Sequence, residues 1–450
     1  MKNQPTKCPS RTLPVIEKQS TVSPTITRRR FVQGMTAVAA APLIVSAASL
    51  KAGENRAPSD RVTLGFIGVG KMGRGHLGGF LGDGDVQVVA VCDVVAQRRD
   101  HAREMVEKRY AAARKAGTYR GCDAYGDFRE LLAREDLDAV VIGTPDHWHA
   151  IPAVYAAQAG KDIYCEKPLS RTIGEGRKMV EAVRENKVVF QTGSQQRSEF
   201  GGRFRKAVEL IRNGHIGQVK TIRVGVGTPN RPCDLPGQEI PEGTDWDFWV
   251  GPSAMRPYNE ILCPKGIHDH FPAWRDYREF AGGGLADMGA HHFDIAQWAL
   301  DMDHSGPVKV EPPTGDALSG LKLTYANGVE MFHGGPSGCS FEGTKGTIYV
   351  DRSVLKSDPE GILSHEIAAD GFHAQPSNNQ KRNWIEAIRS RQRPIADVEI
   401  GHRTATVCHL ANLGYELRRP LKWDPQAERF VDDDQANGLI HQTMRSPWKI

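Results

Sequence analysis

From residue 59 to about 190, short apolar runs alternate with longer polar stretches. The runs at 62–67, 86–92, 138–142, 161–165 and 188–192 have the length and continuous hydrophobicity of strands buried on both faces. Between them, 96–115 is a long charged stretch suited to an exposed helix, and 127–132 reads as a short helix capped at Asp127. This strand–helix alternation predicts a doubly wound α/β unit with a parallel sheet. Beyond it the pattern changes. Residues 198–213 form an amphipathic helical pattern stopped by Gly214, and 218–226 alternates like a half-buried strand. The stretch 263–280 is irregular and rich in aromatic and histidine residues, and 282–300 is a helix entered through three glycines. Residues 306–355 read as several strands with glycine turns, 378–391 and 402–419 as helices, and 426–450 as a polar tail. The second unit is therefore placed at 191–425.

The first strand runs into Gly68-Val-Gly70-Lys71-Met72-Gly73, a G-x-G-x-x-G that opens a helix. In that setting Gly68 allows the tight turn, Gly70 lets backbone approach a pyrophosphate, and Gly73 brings helix and strand together. The helix N-terminus offers unpaired N–H groups to phosphates. The second strand ends in Asp93, 25 positions after Gly68, where a carboxylate takes ribose hydroxyls and repels a 2′-phosphate. These features predict a dinucleotide-binding Rossmann domain over 59–190 with NAD, rather than NADP, as cofactor.

The formal charge of +4 is misleading. Residues 1–47 hold seven basic residues and one acidic, a balance of +6, which leaves −2 on the rest. A near-neutral body without a basic stripe argues against nucleic acid as a partner. The leader contains Arg28-Arg29 before a mild apolar run at 35–45 and a small-residue site, Val45-Ser46-Ala47. It resembles a twin-arginine export signal, with 48–58 as linker. The run is too short and Ala-rich to span a bilayer, so no stable membrane anchor is expected. The resemblance implies passage of the folded protein through the twin-arginine translocase to the periplasm. The eight cysteines form no C-x-x-C, and His147, His149, His268, His270, His291 and His292 form no H-E-x-x-H. No metal site is expected.

Further marks lie at predicted strand ends: Thr144-Pro145-x-x-x-His149 and Glu166-Lys167-Pro168, with Asp287-x-x-x-His291 on the helix after the glycines. With the glycine loop, these four in this order resemble the glucose–fructose oxidoreductase / inositol dehydrogenase / MocA family over about residues 60–420. The usual pattern carries Asn after the proline, where this chain has Asp146. The resemblance implies a Rossmann domain followed by an α/β domain with a large open, mainly antiparallel sheet. It also implies NAD(P)-dependent chemistry on a sugar-like alcohol. Thr144, Pro145, His149, Glu166 and Lys167 then join the glycine loop and Asp93 around the cofactor. His291 takes the role of base, Lys167 stabilises the same oxygen, and Asp287 orients His291. Helical spacing supports this in part, since Asp287, His291, Asp294 and Trp298 share one stripe. Gly289 and Ala290 leave room there for a cofactor or backbone. Leu285, Met288, His292, Ile295 and Ala299 share another stripe, so His292 reads as structural. Arg197, Trp274 and Arg275 are candidates for sugar hydroxyls.

Three functions are compatible with this sequence. One is a sugar oxidoreductase that retains and recycles its cofactor, since little free NAD exists outside the cytoplasm. A second is a glycosidase that works by transient oxidation and elimination. A third is a nucleotide-bound sugar-binding or sensor protein without turnover, which the Lys167–Asp287–His291 set argues against. An open sheet face implies a homo-oligomer, dimer or tetramer.

Overall fold

The computed structural model describes residues 60–450; the leader and the linker lie outside the described residues. The first sheet has six parallel strands, β1 (Val62–Ile67), β2 (Val86–Cys92), β3 (Asp123–Tyr125), β4 (Ala139–Ile142), β5 (Asp162–Cys165) and β6 (Phe190–Thr192). Their order is β3-β2-β1-β4-β5-β6. Every residue of β2, β4 and β5 is buried, as the unbroken apolar runs require. The helices on the two faces are α1 (Lys71–Leu81), α2 (Ala96–Arg109), α3 (Ala111–Lys115), α4 (Phe128–Leu132), α5 (Ala150–Gln158) and α6 (Ile173–Asn186). The predicted helix over 96–115 is thus two helices. Tyr110 breaks it, its ring drawn inward against Tyr119 with centroids 4.8 Å apart. Asp127 caps α4 as expected, accepting from Arg129 N.

The second sheet has eight strands, and its strand pairs are antiparallel. They are β7 (Val219–Gly225), β8 (Lys309–Glu311), β9 (Lys322–Thr324), β10 (Glu330–Gly343), β11 (Thr347–Val350), β12 (Leu355–Asp358), β13 (Leu421–Asp424) and β14 (Arg429–Phe430). Alternation sets one face inward: Ile222, Val224, Met331, Phe341, Ile348 and Val350 are buried under the helices, while Arg223, Phe332 and Tyr349 face out. The covering helices are α7 (Arg203–Arg212), α9 (Gly283–Ala299) and α11 (Val398–Leu417), with α8 (Trp246–Val250), α10 (Gln380–Ser390) and α12 (Asp434–Asn437) elsewhere. α7 starts five residues later than its pattern predicts, because Gly201 and Gly202 take positive φ and interrupt the helix.

Two late segments return to the first sheet. Trp384 of α10 packs edge-on against Phe80 and Tyr164. Trp448 of the tail packs against Trp148 and Phe248. Among the described residues no helix is long and apolar enough to cross a membrane.

Candidate active site

β1 and β4 are neighbours whose connections run to opposite sides of the sheet, so a crevice opens at their carboxyl ends. A cavity of about 390 Å³ occupies it. Its floor is the glycine loop. Gly68 has φ +81°, and a Cβ there would lie 2.7 Å from Thr144 N. A Cβ on Gly73 would lie 2.0 Å from Gly68 O, so only glycine lets α1 start this close to β1. A Cβ on Gly70 would meet nothing within 4 Å, because that position faces the open cavity. At the end of β2, Asp93 accepts from Val69 N and Val95 N, each at 2.9 Å, and still lines the cavity. A turn with free N–H groups, a glycine open to the void and an acidic strand end fit a dinucleotide. Opposite, residues 262–275 cross the groove. Arg74 of α1 holds His268 O and Asp269, while Arg98 of α2 holds Gly266 O at 2.9 Å and Pro264 O.

The other end of the cavity holds the chemistry. Lys167, after β5, donates from Nζ to Asp287 Oδ1 at 2.6 Å and to Asp287 O at 2.9 Å. Arg275 lies 3.7 Å from the same carboxylate and stacks on Trp274 at 4.2 Å. Burial works against ionisation of Asp287, but Lys167 and Arg275 outweigh it and hold the carboxyl below its usual range. His291, one turn further along α9, is 3% exposed and lines the same cavity. Burial, reinforced by Lys167 and Arg352, holds its imidazole well below the ordinary histidine range. The ring is therefore neutral near pH 7, and Nδ1 has no hydrogen-bond partner. Glu166 accepts from His76 Nε2 at 2.7 Å, which, against the cost of burial, keeps it ionised beside the cavity. The arrangement pairs a fixed cation with a neutral base across a space bordered by a dinucleotide groove.

Residues 62–194 match the family model of an oxidoreductase family's NAD-binding Rossmann fold, and residues 229–450 match the same family's C-terminal α/β domain. The chain belongs to the Gfo/Idh/MocA oxidoreductase family. Relatives in it include a myo-inositol 2-dehydrogenase of Thermotoga maritima, 24% identical over 382 residues, spanning 80% of this chain and 98% of that protein. A glycosyl hydrolase family 109 protein of Shewanella pealeana is 31% identical over 163 residues, 36% of this chain and 34% of that protein. Among solved structures, the WlbA dehydrogenase of Bordetella pertussis in complex with NADH and UDP-GlcNAcA shares the fold. It has a TM-score of 0.56 and 18% identity, over 81% of this chain and 99% of that one.

Within this Gfo/Idh/MocA chain, Gly68, Gly70, Lys71, Met72, Asp93, Thr144, Pro145, Glu166, Lys167, Trp274, Arg275, Asp287 and His291 line one cavity. Four expectations are corrected. Arg197 is no sugar contact: it is 2% exposed and pairs with Asp294 at 2.8 Å and Asp303 at 2.7 Å. Asp294 is therefore spent on structure. His149 is not at the cofactor surface: its ring binds Pro168 O at 2.7 Å and Thr144 O at 2.9 Å, tying the β4 and β5 loops together. The Asp287 carboxylate makes no hydrogen bond to the His291 ring; it fixes Lys167 instead. Gly289 makes room for Phe293 and Cys408 of α11, not for a cofactor. His292 is buried beside Gln196 and Cys339, as a structural histidine should be. Sequence reasoning missed Asp146, Gln195 and Arg352 as cavity residues. Asp146 sat inside a motif already singled out. Arg352 had no signal, since it arrives from the β11–β12 turn. Among the described residues no group of His, Cys, Asp and Glu is placed to hold a metal.

Proposed function

We propose that this chain oxidises a secondary hydroxyl of a sugar, polyol or sugar derivative, with NAD held in the groove and recycled in place. The observation that carries this reading is the neutral, unpartnered His291 facing the same void as the Lys167–Asp287 pair, beside a groove that fits a dinucleotide. Bound nicotinamide supplies hydride acceptance and return. The side chains do the rest. His291 accepts the hydroxyl proton. Lys167, locked by Asp287, donates a hydrogen bond to the same oxygen as negative charge develops. Trp274 and Arg275 offer an apolar face and donors for neighbouring hydroxyls.

NAD is favoured over NADP on two grounds. Asp93 stands at the end of β2 and lines the groove, where a carboxylate suits ribose hydroxyls. Of the two nearby cations, Arg98 is committed to the carbonyls of Gly266 and Pro264, while Arg99 lies 3.8 Å from Asp100. The leader supports export in the folded state through the twin-arginine route, and the 262–275 crossing supports retention of the cofactor afterwards. The inositol dehydrogenase relative supports a polyol-like substrate. The family 109 relative supports a second reading, in which oxidation serves to cleave a glycoside. Homo-oligomers, dimer or tetramer, would cover the outward sheet face.

The test is to purify the exported protein, denature it and assay released nucleotide. About one NAD(H) per chain is expected after extensive washing. His291→Ala is expected to lose turnover of sugars by about a hundredfold or more while keeping that nucleotide. Unchanged turnover would reject His291 as the base. Because the folded imidazole pKa is depressed, the acid limb of turnover should lie below the ordinary histidine value of about 6.5.

A further inference from the structure

Seven carboxyl side chains are buried among the described residues, and six are held by donors. Asp93 has two backbone amides, Glu166 has His76 and Asp294 has Arg197. Asp162, Glu175 and Asp397 likewise accept from amides or arginines. Asp146 is the exception. It is 5% exposed, no described residue donates to its carboxyl, and it lines the catalytic end of the cavity. It follows Pro145 at the carboxyl end of β4 and begins a single 3₁₀ turn, Asp146–Trp148, in which Trp148 N donates to Pro145 O at 2.9 Å and His147 N to Phe280 O at 3.1 Å. A buried carboxyl without donors either carries a proton or waits for a ligand that donates to it.

Its surroundings decide which. Asp287 on α9 and Glu166 after β5 face it with negative charge, while Arg275 and Lys167 face it with positive charge. The thiols of Cys165 and Cys408 lie on the elements packed behind it. Lys167 donates to Asp287 and Arg275 stands beside it, so neither cation is spent on Asp146. Burial, with Asp287 adding to it, pushes the Asp146 carboxyl up to about 8. An ordinary alcohol oxidation needs a base and a hydrogen-bond donor, and His291 and Lys167 already fill those roles. A further acid is what cleavage of a glycoside requires.

We propose that Asp146 is the acid of this site, holding a proton and delivering it to the glycosidic oxygen as that oxygen leaves the sugar. The inference rests on the cleaving form of the function proposed above, with the nicotinamide dinucleotide as oxidant. Once the sugar carries a ketone, the C–H between ketone and anomeric carbon is acidic. His291, having passed its first proton to water, takes that C–H proton. The electron pair forms a C=C bond, the C–O bond to the aglycone breaks, and the departing oxygen receives the proton of Asp146. Water then adds its hydroxyl to the anomeric carbon and its remaining proton restores Asp146. His291 returns its proton to carbon. The hydride held by the dinucleotide then goes back to the ketone carbon, and the oxygen regains from water, through His291, the proton lost in the first step. The balance is one water consumed and no net oxidation.

Two measurements on wild type and the isosteric Asp146→Asn test this. The first is an infrared difference spectrum of the holoenzyme. The band of a protonated carboxyl is expected at pH about 7, absent from the variant and lost from wild type by pH about 10. Its absence at neutral pH overturns the proposal whatever the sugars do. The second compares methyl and p-nitrophenyl glycosides of glucose and galactose, in both anomers. An alkoxide needs a proton to leave, whereas p-nitrophenolate leaves unaided. Asp146→Asn should therefore slow methyl glycoside cleavage about a hundredfold and p-nitrophenyl glycoside cleavage by less than about threefold. Equal loss on both, or no loss on either, overturns the role. A wild-type protein that reduces its bound nucleotide with these sugars but releases no aglycone also overturns it and leaves the oxidoreductase reading standing. A protein that holds no nucleotide and reduces none with sugars defeats that broader reading as well.

Discussion

At the scale of single residues, the buried charges divide into those that hold the fold and those left for chemistry. Arg197 belongs to the first group. Its guanidinium lies between Asp294 and Asp303 and over the Trp298 ring. Arg197→Ala would leave a carboxylate buried without its cation, at a cost of about 3–5 kcal/mol. A fall in thermal midpoint with unchanged affinity for NAD is expected, and loss of substrate affinity without loss of stability would contradict this assignment. Asp146 belongs to the second group. Its folded pKa is raised to about 8 from the 3.8 of an ordinary aspartate, so unfolding releases a proton between those values. Stability of wild type should fall relative to Asp146→Asn as pH rises from about 4 to about 8, then level off. Thermal melts of both proteins across that range check the sign.

At the scale of elements, loops from the second domain complete the site that the first domain begins. The 262–275 segment has little regular structure of its own and is held by two arginines that project from α1 and α2. Arg98 is 6% exposed and its nitrogens meet carbonyl oxygens, each worth about 1.5–3 kcal/mol as a charge-assisted bond. Arg98→Ala should free this crossing and raise the rate at which bound NAD exchanges with labelled NAD by about tenfold or more. An unchanged exchange rate would show that the segment does not retain the cofactor. The same logic explains why α1 and α2 are fixed against the sheet: Gly73 admits no side chain, and Tyr110 is drawn into the core where the helical pattern would have continued.

At the scale of the whole molecule, the chain is stitched back on itself. Asp85 at the start of β2 pairs with Arg389 of α10 at 2.9 Å and also with Arg382. Arg445 of the tail bonds Gly251 O at 2.9 Å and Asp247 Oδ1 at 2.8 Å. The first contacts tie α10 to the start of β2 in the first sheet, and the second tie the tail to α8. The outward face of the large sheet presents Arg223, Phe332 and Tyr349 with no covering layer among the described residues. Light scattering should therefore give the mass of a dimer or tetramer, and Phe332→Glu should lower it. A monomeric wild type would reject that assembly.

Five of the six strands of the first sheet, the glycine turn and Asp93 were legible because they depend on local chemistry; β3 was not, because its three residues carry no apolar run and Asp123 is exposed, and the strand-end motifs stood out through the family resemblance. Apolar runs must be buried, and certain turns admit only glycine. The stripe on α9 was legible for the same reason, since helical spacing alone puts Asp287 and His291 on one side. Which partner each charged group takes was not local. Lys167 and Asp287 are 120 positions apart, Arg197 and Asp294 are 97 apart, and Arg352 reaches the cavity from a distant hairpin. Spacing showed that Asp287 could reach His291, but packing brought Lys167 closer. The motif drew attention to Asp146, but only the folded surroundings, which bury its carboxyl at the cavity wall without a donor, give it a reason to keep a proton.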